Sequence, residues 1–411
     1  MHILFLTDNF PPEVNAPASR TFEHAQAWVQ SGHKVTIVTS VPNFPHGKVF
    51  PGYKNKLIQR EVVHGIDVIR VWTFLSPNKG VLKRLVDQIS YLPTSIIASI
   101  FVRKVDVIVG TSPNFFAALA AYIIAVVKRR PWVFELRDIW PASIQALGAM
   151  SDSWILKAFE KVELFLYKRS SAIVAVTKSF KTDLVRRQIE TSKISVVTNG
   201  ADLSRFSPRP KNSKLQKKLN LEGKFVLGYI GTHGAAHALE TLIDAALIAQ
   251  TQSTYDSFHF LFVGEGAEKS KLKALASKHD LKNITFLDAV SKDLVPEYWS
   301  LLDASIIHLK RIPLFKTVIP SKSFESMAMG IPILLGVEGE IAQLVQENSV
   351  GLLFEPENSR ALLDVAQRLR NNDELRVSFC RHGIEASGKY DRTQLAKNML
   401  TILEQLEAEH S

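Results

Sequence analysis

Lys322 and Glu325 stand three residues apart in the run Val-Ile-Pro-Ser-Lys-Ser-Phe-Glu-Ser-Met-Ala-Met-Gly-Ile-Pro-Ile-Leu-Leu, residues 318–335. Pro320 stops the preceding segment, and Ser321 has the side chain of a good N-cap. A short helix follows, with Phe324, Met327 and Ala328 on one face. Gly330 suits the left-handed position past its end, Pro332 keeps it from continuing, and Ile331–Leu335 reads as a buried parallel strand. Lys322 opposes the helix macrodipole in the first turn, at a cost in helix stability. An ammonium beside free helix N–H groups is, however, what a phosphate requires, and a carboxylate one turn on can accept both hydroxyls of a ribose. The competing reading is an ordinary amphipathic helix with both side chains in solvent.

The pattern Pro-Ser-Lys-x-x-Glu-x-Met-Ala-x-Gly-x-Pro resembles the donor-site motif of the family 4 retaining glycosyltransferases. The resemblance implies the α/β GT-B fold, two Rossmann-like doubly wound domains facing a cleft. It further implies that Glu325 holds the ribose of a nucleotide sugar while Lys322, with Ser321 beside it, meets the diphosphate. The family's paired motif has a second glutamate eight positions earlier, where this chain has Thr317; that leaves the sugar's identity open.

A chain of 411 residues accommodates two domains, and 46% hydrophobic with 22% charged residues is a soluble globular composition. The single cysteine, Cys380, excludes an internal disulfide and a cysteine-rich zinc site. A net charge of +10 asks for an anionic partner: nucleic acid, a membrane surface or a phosphorylated substrate. The apolar run Ile3–Leu6 is too short for a signal peptide.

The elements that must position these residues alternate strand and helix from the start. His2–Thr7 reads as a strand, 8–18 as a loop without glycine, Ser19–Gln30 as a helix and Lys34–Thr39 as a second strand, the opening of a doubly wound sheet. Asn15 and Arg20, with Ala16 between them, are placed to face a cleft on the acceptor side, or else they serve local structure. Leu57–Val63 and Ile66–Trp72 form two strands joined by His64-Gly65. Val81–Val102 and Phe115–Val127 are apolar with basic ends, Arg103-Lys104 and Lys128-Arg129-Arg130. They fall short of a bilayer span and read either as buried helices or as helices lying in a membrane interface. Arg137-Asp138-Ile139-Trp140-Pro141 follows the strand Trp132–Leu136, at the edge where open α/β sheets bind ligands. Arg137 and Asp138 are candidate catalytic groups there, or a pair that satisfies itself. A similar Asp-x-Trp-Pro occurs in many family 4 enzymes and implies the acceptor side. A further helix is expected over Asp152–Lys168.

Asn199-Gly200-Ala201-Asp202 through Phe206 and Pro208 resembles the family hallmark before the interdomain linker. It places a first, acceptor-binding domain at 1–207, a linker at 208–223, a nucleotide-sugar domain at 224–390, and a helix in 391–411 that returns to the first domain. The strand Phe225–Ile230 leads into Gly231-Thr232-His233-Gly234, where glycines let backbone N–H groups approach a phosphate, or simply make a tight turn. By resemblance this is the diphosphate loop, with His233 a candidate donor to phosphate and Lys310 or Arg311 sharing the charge with Lys322. Asp288-Ala289-Val290 is similar to the loop that holds the nucleobase through its backbone.

These features lead to a glycosyltransferase that takes a nucleotide-diphosphate sugar, UDP-linked, to an undecaprenyl-diphosphate-linked saccharide. The resemblance is nearest to bacterial O-antigen and capsule transferases, some of which handle L-fucosamine. It implies no metal or other cofactor and a cytoplasmic enzyme held peripherally at the inner membrane face by residues 81–130. A nucleotide-sugar 2-epimerase on the same fold is the alternative. Nucleic acid is disfavoured, because the basic residues cluster at the ends of apolar helices rather than along an aromatic stripe.

Overall fold

The computed structural model describes residues 1–44, 46–75, 81–139 and 154–410. The chain divides into two compact units, Met1–Asn199 with Arg392–Ser411, and Gly200–Asp391.

The first unit holds an eight-stranded sheet in the order β3-β4-β2-β1-β5-β6-β7-β8. Its strands are β1 (His2–Leu6), β2 (Lys34–Ser40), β3 (Ile58–Val63), β4 (Ile66–Val71), β5 (Val107–Thr111), β6 (Trp132–Leu136), β7 (Ala172–Ala175) and β8 (Ile194–Val196). All neighbours pair in parallel except β3 with β4. That hairpin turns at His64 and Gly65, both with positive φ, the geometry a two-residue hairpin loop favours. The chain winds outward from β1 in both directions, so the loops after β1 and β5 flank the topological switch point, the ordinary ligand position in such sheets.

Helix α1 (Ala16–Gln30) begins at Ala16, not Ser19. Asn15 caps it, its Oδ1 accepting from Ala18 N at 2.9 Å. The helix α2 (Val81–Ile100) is one continuous helix with Pro93 inside it. Beside it runs α3 (Phe115–Lys128), and the Lys128 ammonium donates to the carbonyls of Ile100 and Val102, tying the two helix ends together. Of the helix expected over Asp152–Lys168, the described part is α4 (Trp154–Arg169); Trp140, Pro141 and Asp152 lie outside the described residues. The closing helix of this unit, Arg392–His410, packs Leu395, Met399 and Leu403 into one core with Ile3, Phe5 and Trp28. Trp28 Nε1 donates to Ala396 O at 2.8 Å.

The second unit is a six-stranded parallel sheet in the order β11-β10-β9-β12-β13-β14. The strands are β9 (Phe225–Ile230), β10 (Phe258–Val263), β11 (Ile284–Leu287), β12 (Ala304–His308), β13 (Ile333–Gly336) and β14 (Gly351–Leu353). Its switch point lies between β9 and β12. The stretch 208–223, expected as linker, is packed onto this unit instead. It carries a helix, Ser213–Lys218, and buries Leu221 completely. Arg209 and Asn212 meet Glu297, and Lys211 meets Asp303. Lysine, asparagine and proline suit a solvated linker, but they equally suit a surface segment held by ion pairs.

Candidate functional site

In the second unit the loop after β9 and the segment after β12 converge at the switch point, and the expected donor residues lie on them, except Val290, which follows β11. Helix Lys322–Ala328 buries Phe324, Met327 and Ala328 as the sequence pattern requires, and Gly330 has φ +66°. Ser321 occupies the N-cap position, but its backbone is helical and its side chain makes no capping hydrogen bond, so the expected capping role is corrected. Glu325, one turn along, is half-buried.

The Lys322 ammonium is covered and has no hydrogen-bond acceptor. Instead it lies over the face of Tyr229, 3.5 Å from the ring centroid. A Cβ built on Gly231 would stand 3.1 Å from this nitrogen, so the cation sits against the glycine turn. Burial brings the lysine's pKa down to about 7, with Glu325 acting the other way. The site thus contains a cation deprived of water and of acceptors, a state that an incoming anion would relieve.

The loop 231–234 is held from beneath by backbone. Gly231 N donates to Val263 O, His233 N to Glu265 O, and Glu268 N to His233 O. Gly264 and Gly266 permit this: a Cβ would fall 1.9 Å from Gly231 O at the first and 2.3 Å from His233 O at the second. Thr232 is exposed and Gly234 half-buried. His233 is wholly buried, neither ring nitrogen has a hydrogen-bond partner, and its pKa is pressed to about 3 by burial and then by Lys269 and Lys322. Enclosed in this way, the imidazole is not presented at the loop surface, where a phosphate donor would stand. Arg311 is engaged with Glu338 and Glu355 and is not free to share the charge of Lys322. The Thr317 hydroxyl donates to Leu314 O at 2.7 Å, finishing a 3-10 turn.

Two residues of this site were not foreseen. Tyr229 read only as a strand residue. Lys269 is buried and donates to the carbonyls of Gly264 and Leu287 and to the carboxylates of Glu265 and Asp288. It therefore joins the glycine-loop support to the loop carrying Val290, which is half-buried against the core. No local sequence signal separates Lys269 from the other lysines of its helix.

In the first unit the structure corrects two acceptor-side expectations. Arg20 does not face open space. It is 2% exposed, with Nε on Glu135 Oε1 at 2.8 Å, Nη1 on Thr198 O at 2.7 Å and Nη2 on Val197 O at 3.1 Å. Asn15 is spent on the helix cap and on Asn9 Oδ1 at 2.7 Å. Arg137 and Asp138 do stand at the carboxyl end of β6, and both backbone N–H groups donate to Ser112 Oγ. The Arg137 guanidinium reaches the carbonyls of Pro17 and Ala16 at 3.4 and 3.5 Å. Burial lowers its pKa to about 10 against the opposing pull of Glu135. Among the described residues, no group of three or more His, Cys, Asp or Glu could hold a metal ion.

Two doubly wound α/β units, taken with the family matches that follow, make this a glycosyltransferase of the GT-B fold. Residues 18–205 match the Glycosyltransferase Family 4 model and residues 211–385 match Glycosyl transferases group 1, so the chain carries this domain pair. A relative in Escherichia coli (strain K12), named as the colanic acid biosynthesis glycosyl transferase WcaI, is 24% identical over 88% of this chain and 90% of its own. Among solved structures, sucrose-phosphate synthase from Thermosynechococcus elongatus superposes with a TM-score of 0.78 at 16% identity, over 99% of each chain. Anabaena HepE in complex with UDP-glucose gives 0.72 at 18% identity, over 98% of this chain and 100% of that one.

Proposed function

We propose that this glycosyltransferase retains anomeric configuration and moves a sugar from a UDP-linked donor to a lipid-linked saccharide in surface polysaccharide biosynthesis. The observation that carries the donor half is the Lys322 ammonium, covered and without an acceptor, pressed against the Gly231 turn at the switch point. Its charge neutralises the departing diphosphate, which is the main demand of glycosyl transfer to a hydroxyl. Glu325 takes the ribose, the backbone N–H groups of Thr232 and Gly234 take phosphate oxygens, those of Gly231 and His233 being spent on Val263 O and Glu265 O, and Val290 flanks the base. UDP is favoured because HepE, a fold neighbour, binds UDP-glucose. Arg137 and Asp138 are assigned to the acceptor in the first unit. The polysaccharide context rests on the colanic acid relative.

A thermal-shift screen against UDP-, GDP-, dTDP- and ADP-sugars tests the donor. Ligand that binds the native state raises the melting temperature, and a UDP-sugar should raise it most. Glu325→Ala should lose that rise, whereas an unchanged rise in the variant would remove Glu325 from the site.

The lipid-linked acceptor is supported by the surface of α2 and α3. Val86, Ile89, Pro93, Ile97 and Ile100 recur at helical spacing on the exposed face of α2. Phe101 beyond its end is 64% exposed, and Val126 and Val127 of α3 are 59% and 58% exposed. Exposed Lys83 precedes the stripe, and exposed Arg103, Lys104, Arg129 and Arg130 follow it. An apolar stripe with basic ends suits an interfacial position on anionic lipid, while the opposite face of α2, with Tyr91, Ser95 and Ala98, is buried in the unit. No helix among the described residues is long and apolar enough to cross a membrane. The protein should float with phosphatidylglycerol vesicles, and Ile97→Glu with Phe101→Glu should reduce binding at least tenfold, roughly 1.5–3 kcal/mol being at stake per apolar side chain. Equal flotation of the double variant would rule out this face.

A further inference from the structure

Tyr229 lies at the carboxyl end of β9 and is completely buried. Its hydroxyl donates to Thr232 O at 2.8 Å, which fixes the ring to the glycine loop. One face of the ring carries the Lys322 ammonium at 3.5 Å. Around the ring stand three aromatic neighbours: His233 at 5.8 Å, His237 at 5.7 Å edge-on and Phe262 at 6.2 Å. A tyrosine needs none of this to fill a core. A leucine would serve the strand, and it would leave the ammonium on bare hydrocarbon.

We propose that Tyr229 is a positioning residue of the donor site, its ring face holding the Lys322 ammonium beneath the Gly231 turn for a nucleotide diphosphate. The inference rests on the donor-site reading given above. The ring quadrupole attracts a cation without supplying a hydrogen-bond acceptor, so the three N–H donors of Lys322 remain unspent. A carboxylate in the same place would satisfy the ammonium and compete with the diphosphate for it. The ring supports the charged form, fixes where it stands and leaves its hydrogen bonds to the ligand. Gly231 completes the arrangement, since a side chain there would meet the ammonium at 3.1 Å.

The charge on Lys322 depends on few neighbours. His233 and His237 are both pressed to about 3 by burial and stay neutral above pH 5, and burial also lowers His308. Glu325 is the carboxylate that favours the ammonium, and Lys322 itself loses its proton near pH 7. Nucleotide-sugar affinity is therefore expected to fall as pH rises above about 7. The ring's contribution sets where that fall begins.

The experiment replaces the ring face while keeping its shape. Tyr229→Phe, Tyr229→trifluorophenylalanine and Tyr229→pentafluorophenylalanine are introduced into the full chain. Affinity is measured from pH 6 to 9 for whichever of UDP-, GDP-, dTDP- or ADP-glucose gives the largest thermal shift, a glucose diester having no phosphate titration in that range. Tyr229→Phe should keep the wild-type pH midpoint. The fluorinated series should lower it stepwise, by about half to one pH unit in all, with affinities drawing together as pH falls. A merely structural tyrosine would show no dependence on fluorination. If midpoint and affinity stay constant across the series while Lys322→Met loses binding, the role of Tyr229 is overturned and the donor site stands. If Lys322→Met binds as well as the parent, or no nucleotide sugar binds at all, the donor-site reading fails and this inference fails with it.

Discussion

Lys322→Met should weaken nucleotide-sugar binding roughly a hundredfold, about 3 kcal/mol, the upper range for a hydrogen bond to a charged group. The same variant should melt at a higher temperature than the parent when no ligand is present. The sign follows from proton binding. In the unfolded chain Lys322 keeps its proton up to about 10.5, but in the native protein only to about 7. Between those values the unfolded state binds more protons, so this residue's cost to stability is greatest at and below pH 7 and fades as pH rises toward 10.5. Methionine removes the cost of a covered cation and keeps the apolar stem. Melting curves at pH 6.5 and pH 9.5, with and without nucleotide sugar, check both halves. A variant that loses binding and also loses stability at pH 6.5 would mean that Lys322 holds the fold together, and its place as a waiting cation would be untenable.

The second large effect is expected in the first unit. Arg20→Ala should cost about 3–5 kcal/mol, because it leaves the carboxylate of Glu135 buried without its main partner. For a unit of this size that corresponds to a fall in Tm of roughly 10 °C. Burial alone would raise the pKa of Glu135, but Arg20 and then Arg137 outweigh it and hold the carboxyl below 4.5. In the parent this contributes stability above pH 4.5 that is lost as pH falls. In the variant the burial effect dominates, so the damage should be greatest near neutral pH and should shrink toward pH 4. Arg20→Lys should restore little, since one ammonium cannot reach Glu135 and the carbonyls of Val197 and Thr198 together. An unaltered melting curve for Arg20→Ala, with only acceptor affinity changed, would return Arg20 to the acceptor side.

Arg20 also shows which features a sequence conceals. Its place after the loop that follows the first strand gave it the look of a group facing a cleft, but its fate depends on Glu135, 115 positions away. Lys322 and Tyr229 are likewise joined only by the fold, across 93 positions, and nothing in Phe225–Ile230 marks its tyrosine from its other apolar residues. Local rules fared better. Gly330 takes the left-handed backbone its place after a helix asks for, His64-Gly65 makes the hairpin, and the alternation of strand and helix gives both sheets. Asn15 beside Pro17 carries the residue pattern of an N-cap, a pattern that equally suits a polar group facing a cleft. Ser321 fails in the opposite sense: the residue type favours capping, but its helical backbone keeps the hydroxyl from the N–H groups. Composition misread 208–223, because polarity marks a segment as exposed without saying whether ion pairs fasten it.

The helix Arg392–His410 belongs to the core of Ile3, Phe5 and Trp28, and this has a consequence during synthesis. As the ribosome extends the chain, residues 200–391 can collapse into a finished sheet while the earlier-made half still lacks its covering helix. The apolar side of β1 and α1 waits through nearly two hundred further codons before Leu395, Met399 and Leu403 arrive to close it. Apolar surface left uncovered over that interval favours misassociation of the nascent chain, the hazard that chaperones relieve.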